Sequence, residues 1–341
     1  MIAHYPKAWL SLLSVLPALL GGCQKQTDEN TTQAAASGQA APAPTTRASV
    51  TVRIGYQKIG APFLLKSRSA DLDRSLGEKG AKADWKEFKH GPGVLEAIKA
   101  KEVDVGYVGE TPPVFAQAGG VDFVYVASDP PAPKAEAIIV RKDSPIKSLK
   151  ALKGKKIALN RGSNVHYLLV RALESVKLSI KDVEVTYLAP GDARPAYDSG
   201  KVDAWVIWDP FLAAAENAGS RQLADGEGLV DNRLFYVARR EFAVEHPELL
   251  RATLDEFKSL SDWERQNPEE ASKILAASSG VAYDALLLSE KRHAYGLLPI
   301  TDEVLGAQQK IADTFRKLEL IPKDIATRDA FLPAAVYAGS P

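Results

Sequence analysis

The strongest constraint on the fold is a stretch that the chain writes twice, from Phe88 to Gly120 and again from Tyr187 to Gly219. At an offset of 99 residues, Val103-Asp104 falls on Val202-Asp203, Phe88 on Tyr187, Ala116 on Ala215 and Gly120 on Gly219. Each copy runs from a Gly/Pro-rich loop (His90-Gly91-Pro92-Gly93; Pro190-Gly191-Asp192) into an amphipathic helix, a small-residue turn, a short apolar strand, a polar loop and a second helix. Such alternation is half of a doubly wound α/β lobe. The polar loops after the two strands are Gly109-Glu110-Thr111 and Trp208-Asp209-Pro210. They lie at the carboxyl ends of strands, where open α/β sheets expose ligand-binding groups. Two matching lobes with such tips imply a cleft between them.

Each lobe also has a first strand. Val50 to Gln57 alternates and ends in a polar loop, and Lys156 to Asn164 repeats it at an offset of 103, with Ile54 on Ile157. In the second copy Ser163 or Asn164 is a natural N-cap before Leu168, Leu169, Ala172 and Leu173. The free amides of such a helix start make an anion site; the alternative is that the two residues only cap the helix. The apolar runs Glu136–Arg141 and Leu234–Ala238 are expected to be crossover strands that form a hinge. They divide the folded part into lobe 1 (residues 50–137 and 236–341) and lobe 2 (residues 138–235). Helices starting at Pro247, at Asn267-Pro268 and at Thr301, each with a cap or first-turn acid, are expected to pack on lobe 1 and carry little chemistry.

The amino terminus reads differently. Residues 1–23 comprise a weakly basic start (Lys7), an apolar run from Ala8 to Leu20 and then Gly21-Gly22-Cys23. The run is shorter than the roughly 20 residues of a membrane span and reads as an export signal. Cys23, the only cysteine, ends a segment that resembles a bacterial lipoprotein box, which predicts lipidation at Cys23 and a membrane-tethered periplasmic protein. An ordinary signal peptide with an incidental cysteine is the alternative. Residues 24–49 are rich in Ala, Thr, Gln, Pro and Ser and are expected to be a disordered tether. A formal net charge of zero argues against a nucleic-acid partner. A lone cysteine excludes a disulfide framework or a thiolate metal site, and no cofactor is expected.

Four segments carry a family resemblance: Ile54-Gly55-Tyr56-Gln57-Lys58; Gly106-Tyr107-Val108-Gly109-Glu110-Thr111-Pro112-Pro113; Ala158 through Leu169, with Asn160-Arg161-Gly162-Ser163-Asn164-Val165-His166 inside it; and Ala204-Trp205-Val206-Ile207-Trp208-Asp209-Pro210. Together they resemble the aliphatic-sulfonate-binding proteins of bacterial ABC importers, within the wider group that binds sulfonates, taurine, nitrate and thiamine precursors. The resemblance covers nearly all of Val50 to Leu332. It implies a type II periplasmic-binding-protein fold, two doubly wound lobes joined by two crossover strands, that closes on a small anion. It also implies a monomer that presents an alkanesulfonate to a permease in the inner membrane. The family pattern has Asp where this chain has Glu110.

A sulfonate is a permanent anion with three acceptor oxygens, so it calls for N–H and O–H donors without a carboxylate beside it. Candidate donors are backbone amides near Gly91, Pro92 and Gly109, the hydroxyls of Thr111 and Ser163, and the carboxamides of Gln57 and Asn164. His166 either adds a donor or is a helix-surface histidine. Trp208 either covers the ligand's tail or belongs to the core. Asp209 either caps the following helix or, like Glu110, partners an amine on the ligand. Asp104 and Asp203, before their strands, are expected to be structural. An enzyme is the other class: Ser163, His166 and Asp209 form a triad on paper, and pyrimidine synthases related to thiamine-precursor binders share the fold. No nucleophile elbow, His-Glu-x-x-His or phosphate loop occurs, so binding without catalysis is the expectation.

Overall fold

The structure is a computed structural model and describes residues 49–333; the expected signal segment, Cys23 and nearly all of the tether lie outside the described residues. The chain begins with β1 (Val50–Tyr56), α1 (Gly60–Ser67), α2 (Ala70–Gly77), β2 (Ala81–Glu87), α3 (Gly91–Lys99), β3 (Val105–Gly109), α4 (Thr111–Ala118) and β4 (Phe123–Ser128). It then crosses to β5 (Glu136–Val140), β6 (Lys156–Leu159), α5 (Asn164–Ser175), β7 (Glu184–Tyr187), α6 (Pro190–Asp198), β8 (Ala204–Trp208), α7 (Phe211–Asn217) and β9 (Arg221–Asp225). The return consists of β10 (Leu234–Arg239) and five helices: α8 (Arg240–Glu245), α9 (Pro247–Gln266), α10 (Pro268–Ser279), α11 (Tyr283–Arg292) and α12 (Asp302–Lys317).

Two five-stranded sheets result, ordered β2-β1-β3-β10-β4 and β7-β6-β8-β5-β9. The sequence duplication is thus a duplication of topology: β1 pairs in parallel with β2 and β3 as β6 does with β7 and β8. Helices cover both faces, so the central strands are apolar without alternation. Every residue of β3, β4 and β5 is buried. The first sheet separates one core around Ile54, Tyr107 and Tyr236 from another around Val94, Val108 and Phe235. The second sheet does the same with Ile138 and Leu168 on one side and Tyr197 and Trp205 on the other.

The two segments expected as crossover strands have another place. β5 pairs antiparallel with β8 and β9, and β10 pairs antiparallel with β3 and β4, so each lies wholly within one sheet. A strand bonded on both edges moves with its sheet. The chain passes between the sheets in segments 129–135, which ends in a 3-10 turn at Pro133–Ala135, and 226–233. The carboxyl-terminal helices supply Phe257, Leu260, Leu275 and Leu286 to the first core. They also reach the second lobe: Ile311, Ala312 and Phe315 of α12 pack with Val114 of α4 and Tyr167 of α5.

The repeated Val-Asp pair does the same work in both lobes. Asp104 Oδ2 accepts from the Arg53 amide at 3.0 Å and Asp203 Oδ2 from the Lys156 amide at 2.8 Å. The amides of Asp104 and Asp203 return bonds to the Arg53 and Lys156 carbonyls at 2.8 and 2.7 Å. Each aspartate therefore staples the entry of one parallel strand to the next. Asp104 is fully buried and also receives the guanidinium groups of Arg53 and Arg239 at 2.7 and 2.8 Å. Burial alone would raise its pKa; the bonds from Arg53 and Arg239 outweigh that and hold the carboxyl below its ordinary range. Removing one partner of such a buried ion pair costs about 3–5 kcal/mol. Asp104→Ala should lose about that much in urea unfolding. Asp203→Ala, which strips one backbone staple and no buried ion pair, should lose nearer 1 kcal/mol.

Candidate functional site

The loops at the carboxyl ends of the parallel strands meet around a cavity of about 60 Å³. A single water needs about 10–15 Å³ of such space, so the cavity suits a short molecule. Gln57 and Gly60 follow β1, Gly91 opens α3, and Gly109 and Pro112 join β3 to α4. From the second lobe Ser163 and Asn164 open α5, and Trp208 and Asp209 end β8. Ala135, Asn232 and Leu234 come from the connections between the sheets and the strand that follows, and Ser289, Glu290 and His293 from α11 and its end.

One contact sets how closely the lobes approach. Asn164 Oδ1 accepts from the Thr111 amide at 3.1 Å, and its Nδ2 donates to Asn232 Oδ1 at 2.7 Å. A Cβ on residue 109 would overlap the Asn164 carboxamide, so glycine is required there by the opposing lobe and not by its own backbone angles. Gly60 is required by its own backbone angle, φ +67°, and by its own lobe, since a Cβ would run into the Tyr107 ring.

The first turn of a helix leaves its amides without intrahelical acceptors. In α5 the Ser163 side chain does not cap them; its hydroxyl donates to the Asn160 carbonyl at 2.7 Å. The amides of Asn164 and Val165 have no acceptor among the described residues. The second lobe therefore offers the cleft neutral donors at a helix start, where the helix dipole also favours an anion. Trp208, half-buried, stands edge-on to Phe211 at 6.2 Å and presents apolar area to the same cavity.

The remaining wall is acidic. Asp209 is 5% exposed; Oδ1 accepts from the Ala213 amide at 2.9 Å, so it does hold the start of α7, and Oδ2 has no donor among the described residues. Burial pushes its pKa up to about 7, against the pull of Arg292 and the Ala213 amide. Arg292 of α11 reaches across the lobes to Asp209 at 3.5 Å and to Glu216 of α7 at 2.6 Å. His293 Nε2 lies 3.3 Å from Asp129 Oδ2, which also accepts from the Tyr107 hydroxyl. Glu290 accepts from the Tyr295 hydroxyl.

Of the residues singled out from sequence, Gln57, Gly91, Gly109, Ser163, Asn164, Trp208 and Asp209 line this cavity. Pro92 faces a separate groove between α3 and α4, because the α3 start turns only Gly91 inward. Glu110 points away from the cavity: its two oxygens accept from the amides of Asn232 and Arg233 at 3.2 and 3.0 Å and fasten the return connection. The Thr111 hydroxyl is buried without a partner among the described residues; only the Thr111 amide meets the other lobe. His166 is neither surface nor cavity. It is fully buried among Phe115, Phe315 and Tyr187, its Nδ1 accepts from the Gly162 amide at 3.3 Å, and burial pushes its pKa down to about 4, with the Arg161 charge adding to the effect. The triad drawn on paper does not assemble: the Ser163 hydroxyl donates to Asn160, His166 faces Gly162, and Asp209 faces Ala213 and Arg292.

Sequence reasoning missed the α11 wall. A usable signal exists, since Glu290 shares the buried helical face of Ala285, Leu286 and Ser289, and a carboxyl on such a face needs a reason. Asn232 and Ala135 carry no comparable signal.

Two α/β lobes closing on a small polar cavity at their strand ends define a solute-binding protein of the type II periplasmic plan. The family described as NMT1/THI5 like matches residues 78–271. A protein of Escherichia coli (strain K12) named as an aliphatic sulfonates-binding protein is 39% identical over 279 residues, covering 81% of this chain and 87% of the relative. The alkanesulfonate-binding protein SsuA of Xanthomonas axonopodis pv. citri, solved bound to MOPS, superposes with a TM-score of 0.79 at 35% identity, covering 84% of this chain and 99% of that one. The periplasmic aliphatic sulphonate binding protein SsuA of Escherichia coli gives 0.76 at 38% identity, covering 83% and 92%. The chain belongs to the NMT1/THI5-like family, in its branch of aliphatic-sulfonate-binding proteins.

The connection held by Glu110 predicts a pH dependence. Burial raises this carboxyl to about 7, the amides of Asn232 and Arg233 opposing the shift. A folded pKa above the unfolded value of about 4.3 contributes stability that is full below that value and is lost as pH rises through about 7. Glu110→Gln should therefore shrink the fall in melting temperature between pH 5 and pH 8, as read by differential scanning calorimetry. An unchanged fall would mean that Glu110 titrates normally.

Proposed function

We propose that this protein is the extracytoplasmic binding component of an ABC importer, that it captures a small sulfonate between its lobes, and that it hands the ligand to a membrane permease as a monomer. The observation that carries this reading is the unpartnered amide pair at the start of α5, set in a cavity both lobes complete. Sulfonate oxygens accept there, Gln57, Gly91 and Gly109 face them from the first lobe, and Trp208 covers the tail. The lobes, taken as the two sheets with their helices, swing about residues 129–135 and 226–233, with Glu110 fastening the second connection and Asn164 closing against Thr111. The unassembled triad favours binding over catalysis. The names of the relatives favour a sulfonate over nitrate or a thiamine precursor.

Calorimetric titration with propanesulfonate, taurine, nitrate and sulfate tests the ligand class; binding only of nitrate or sulfate would discard the sulfonate reading. Asn164→Ala removes the cross-lobe bond and leaves the Thr111 amide buried without an acceptor, a loss of about 1–3 kcal/mol. Propanesulfonate affinity should fall roughly five- to more than a hundredfold. Gly109→Ala should weaken it as well, by keeping the lobes apart. The melting temperature of ligand-free protein should hardly move in either variant, because an open cleft lets water serve the same groups.

The anchor is part of the proposal: Cys23 is lipidated and holds the folded part to a periplasmic membrane surface through the segment up to residue 49. Among the described residues no helix is long and apolar enough to cross a membrane. Cys23→Ser should move the protein from the membrane fraction to the soluble one. A wild-type protein whose intact mass carries no acyl group would overturn the anchor and leave the binding reading standing.

A further inference from the structure

We propose that Asn232, in the return connection, is a positioning residue for the closed cleft. Its side chain takes its bearing from the other connection and orients the Asn164 carboxamide that docks on the first lobe, so it sets how long a bound ligand is retained. This rests on the reading above of a cleft that closes on a small sulfonate.

The backbone at this position suits glycine. Asn232 has a φ of +52°, in the left-handed region that asparagine tolerates and glycine adopts without steric cost. The other non-glycine residues with such angles among the described residues are Lys101, Lys177 and Glu319, all exposed and all just past the ends of α3, α5 and α12. Asn232 is 5% exposed and lies in a connection between the sheets. The turn alone therefore does not account for asparagine, and the bonds of its side chain do.

Those bonds form a relay of fixed polarity. The Ala132 carbonyl, in the first connection, accepts from Asn232 Nδ2 at 2.9 Å. A carbonyl can only accept, so the NH2 end of Asn232 faces Ala132 and Oδ1 faces the second lobe. Asn232 Oδ1 accepts from Asn164 Nδ2 at 2.7 Å, and Asn164 Oδ1 in turn accepts from the Thr111 amide at 3.1 Å. A backbone N–H can only donate, so main-chain groups set both ends of the relay, and neither carboxamide can flip without placing like against like. The relay runs from one connection through the other, across to the second lobe and back to the first. Its base is firm. The Ala132 amide donates to the Asp231 carbonyl at 3.0 Å and the Gly226 amide to the Pro133 carbonyl at 2.9 Å, so the two connections run as one ribbon. The Asn232 amide donates to Glu110 Oε1 at 3.2 Å, and Gln308 of α12 holds the Glu110 carbonyl at 2.8 Å. Without the Asn232 side chain, Asn164 Nδ2 would keep only its 3.4 Å approach to the Arg233 carbonyl, and the carboxamide that meets Thr111 would lose its closest support.

The test is the variant Asn232→Gly in the full chain, which removes the relay and keeps the backbone angle. In stopped-flow fluorescence with propanesulfonate, its dissociation rate should rise about tenfold or more while the association rate stays within about threefold of wild type, because the loss falls on the closed complex. A residue that served only the turn would predict the opposite, since glycine serves a turn at this angle as well as asparagine; an unchanged dissociation rate would therefore overturn the positioning role and leave the sulfonate reading intact. Asn232 also lines the cavity, and a double-mutant cycle with Asn164→Ala separates support of Asn164 from contact with the ligand. If both act in one relay, the loss of affinity in the double variant should fall short of the product of the single losses by at least about threefold. Losses that multiply in full would mean that Asn232 acts apart from Asn164, and would overturn the proposal. If propanesulfonate does not bind the wild-type protein, the sulfonate reading fails first and the positioning role falls with it.

Discussion

The cleft depends on one close approach, the Asn164 carboxamide against the backbone at Gly109. Its two ends belong to corresponding loops of a duplicated plan: Gly109 ends β3 of the first sheet, and Asn164 opens the helix after β6 of the second. Because the residue at 109 lacks a Cβ, the carboxamide can reach the Thr111 amide and, with its other end, Asn232 in the return connection. One side chain thereby ties the second lobe to the first lobe and to the connection that returns the chain between them. A larger residue at 109 would leave both sheets intact and still spoil the site, because the donors of the α5 start would stand too far from those of the first lobe.

Much of this was legible in the sequence because it is local and written twice. The alternation of strand and helix, the offset that matches Val-Asp with Val-Asp, and the strand-end loops depend on a few neighbouring residues, so they survive translation into a linear pattern. The structural role expected for Asp104 and Asp203 is of this kind, since each bonds the strand entry it was expected to support. The crossover strands were misplaced because an apolar run shows that a strand is buried and not which sheet buries it. Glu110 and His166 were misassigned for a related reason. Neighbours on a strand-end loop, and residues two apart on a helical turn, face opposite ways, so Gly109 and Asn164 meet the cavity while Glu110 and His166 turn to a connection and to an aromatic core. The α11 wall was missed because its contacts with Asp209 and Glu216 are long-range, and no periodicity reports what lies across a cleft.

The electrostatic layout separates the cleft into parts with different preferences. Amides at a helix start stabilise an anion without bringing a counter-charge, and the helix dipole adds to the effect. Carboxyls in a low-dielectric wall do the opposite and, without a cation, retreat toward the neutral form. Arg292 and His293 cover part of the acid on this wall, and both sit on or just beyond the helix that carries Glu290. One element of the first lobe therefore sets the charge at one end of the cavity and also grips the second lobe.

The extent to which carboxylates are satisfied separates the structural from the available. Asp104 and Asp209 are the same residue type, and both are almost completely buried beside arginine. Asp104 accepts from one backbone amide and two guanidinium groups, and those bonds overcome the cost of burial and hold its pKa low. Asp209 has one backbone amide and a longer approach from Arg292, and burial prevails. A saturated carboxylate has nothing left to offer a ligand, however close it lies to a cleft. An unsaturated one lowers the stability of the empty protein, since a buried group kept from its preferred charge state is a cost. In this protein that cost falls on the wall of the cavity, where Asp209 Oδ2 has no donor among the described residues.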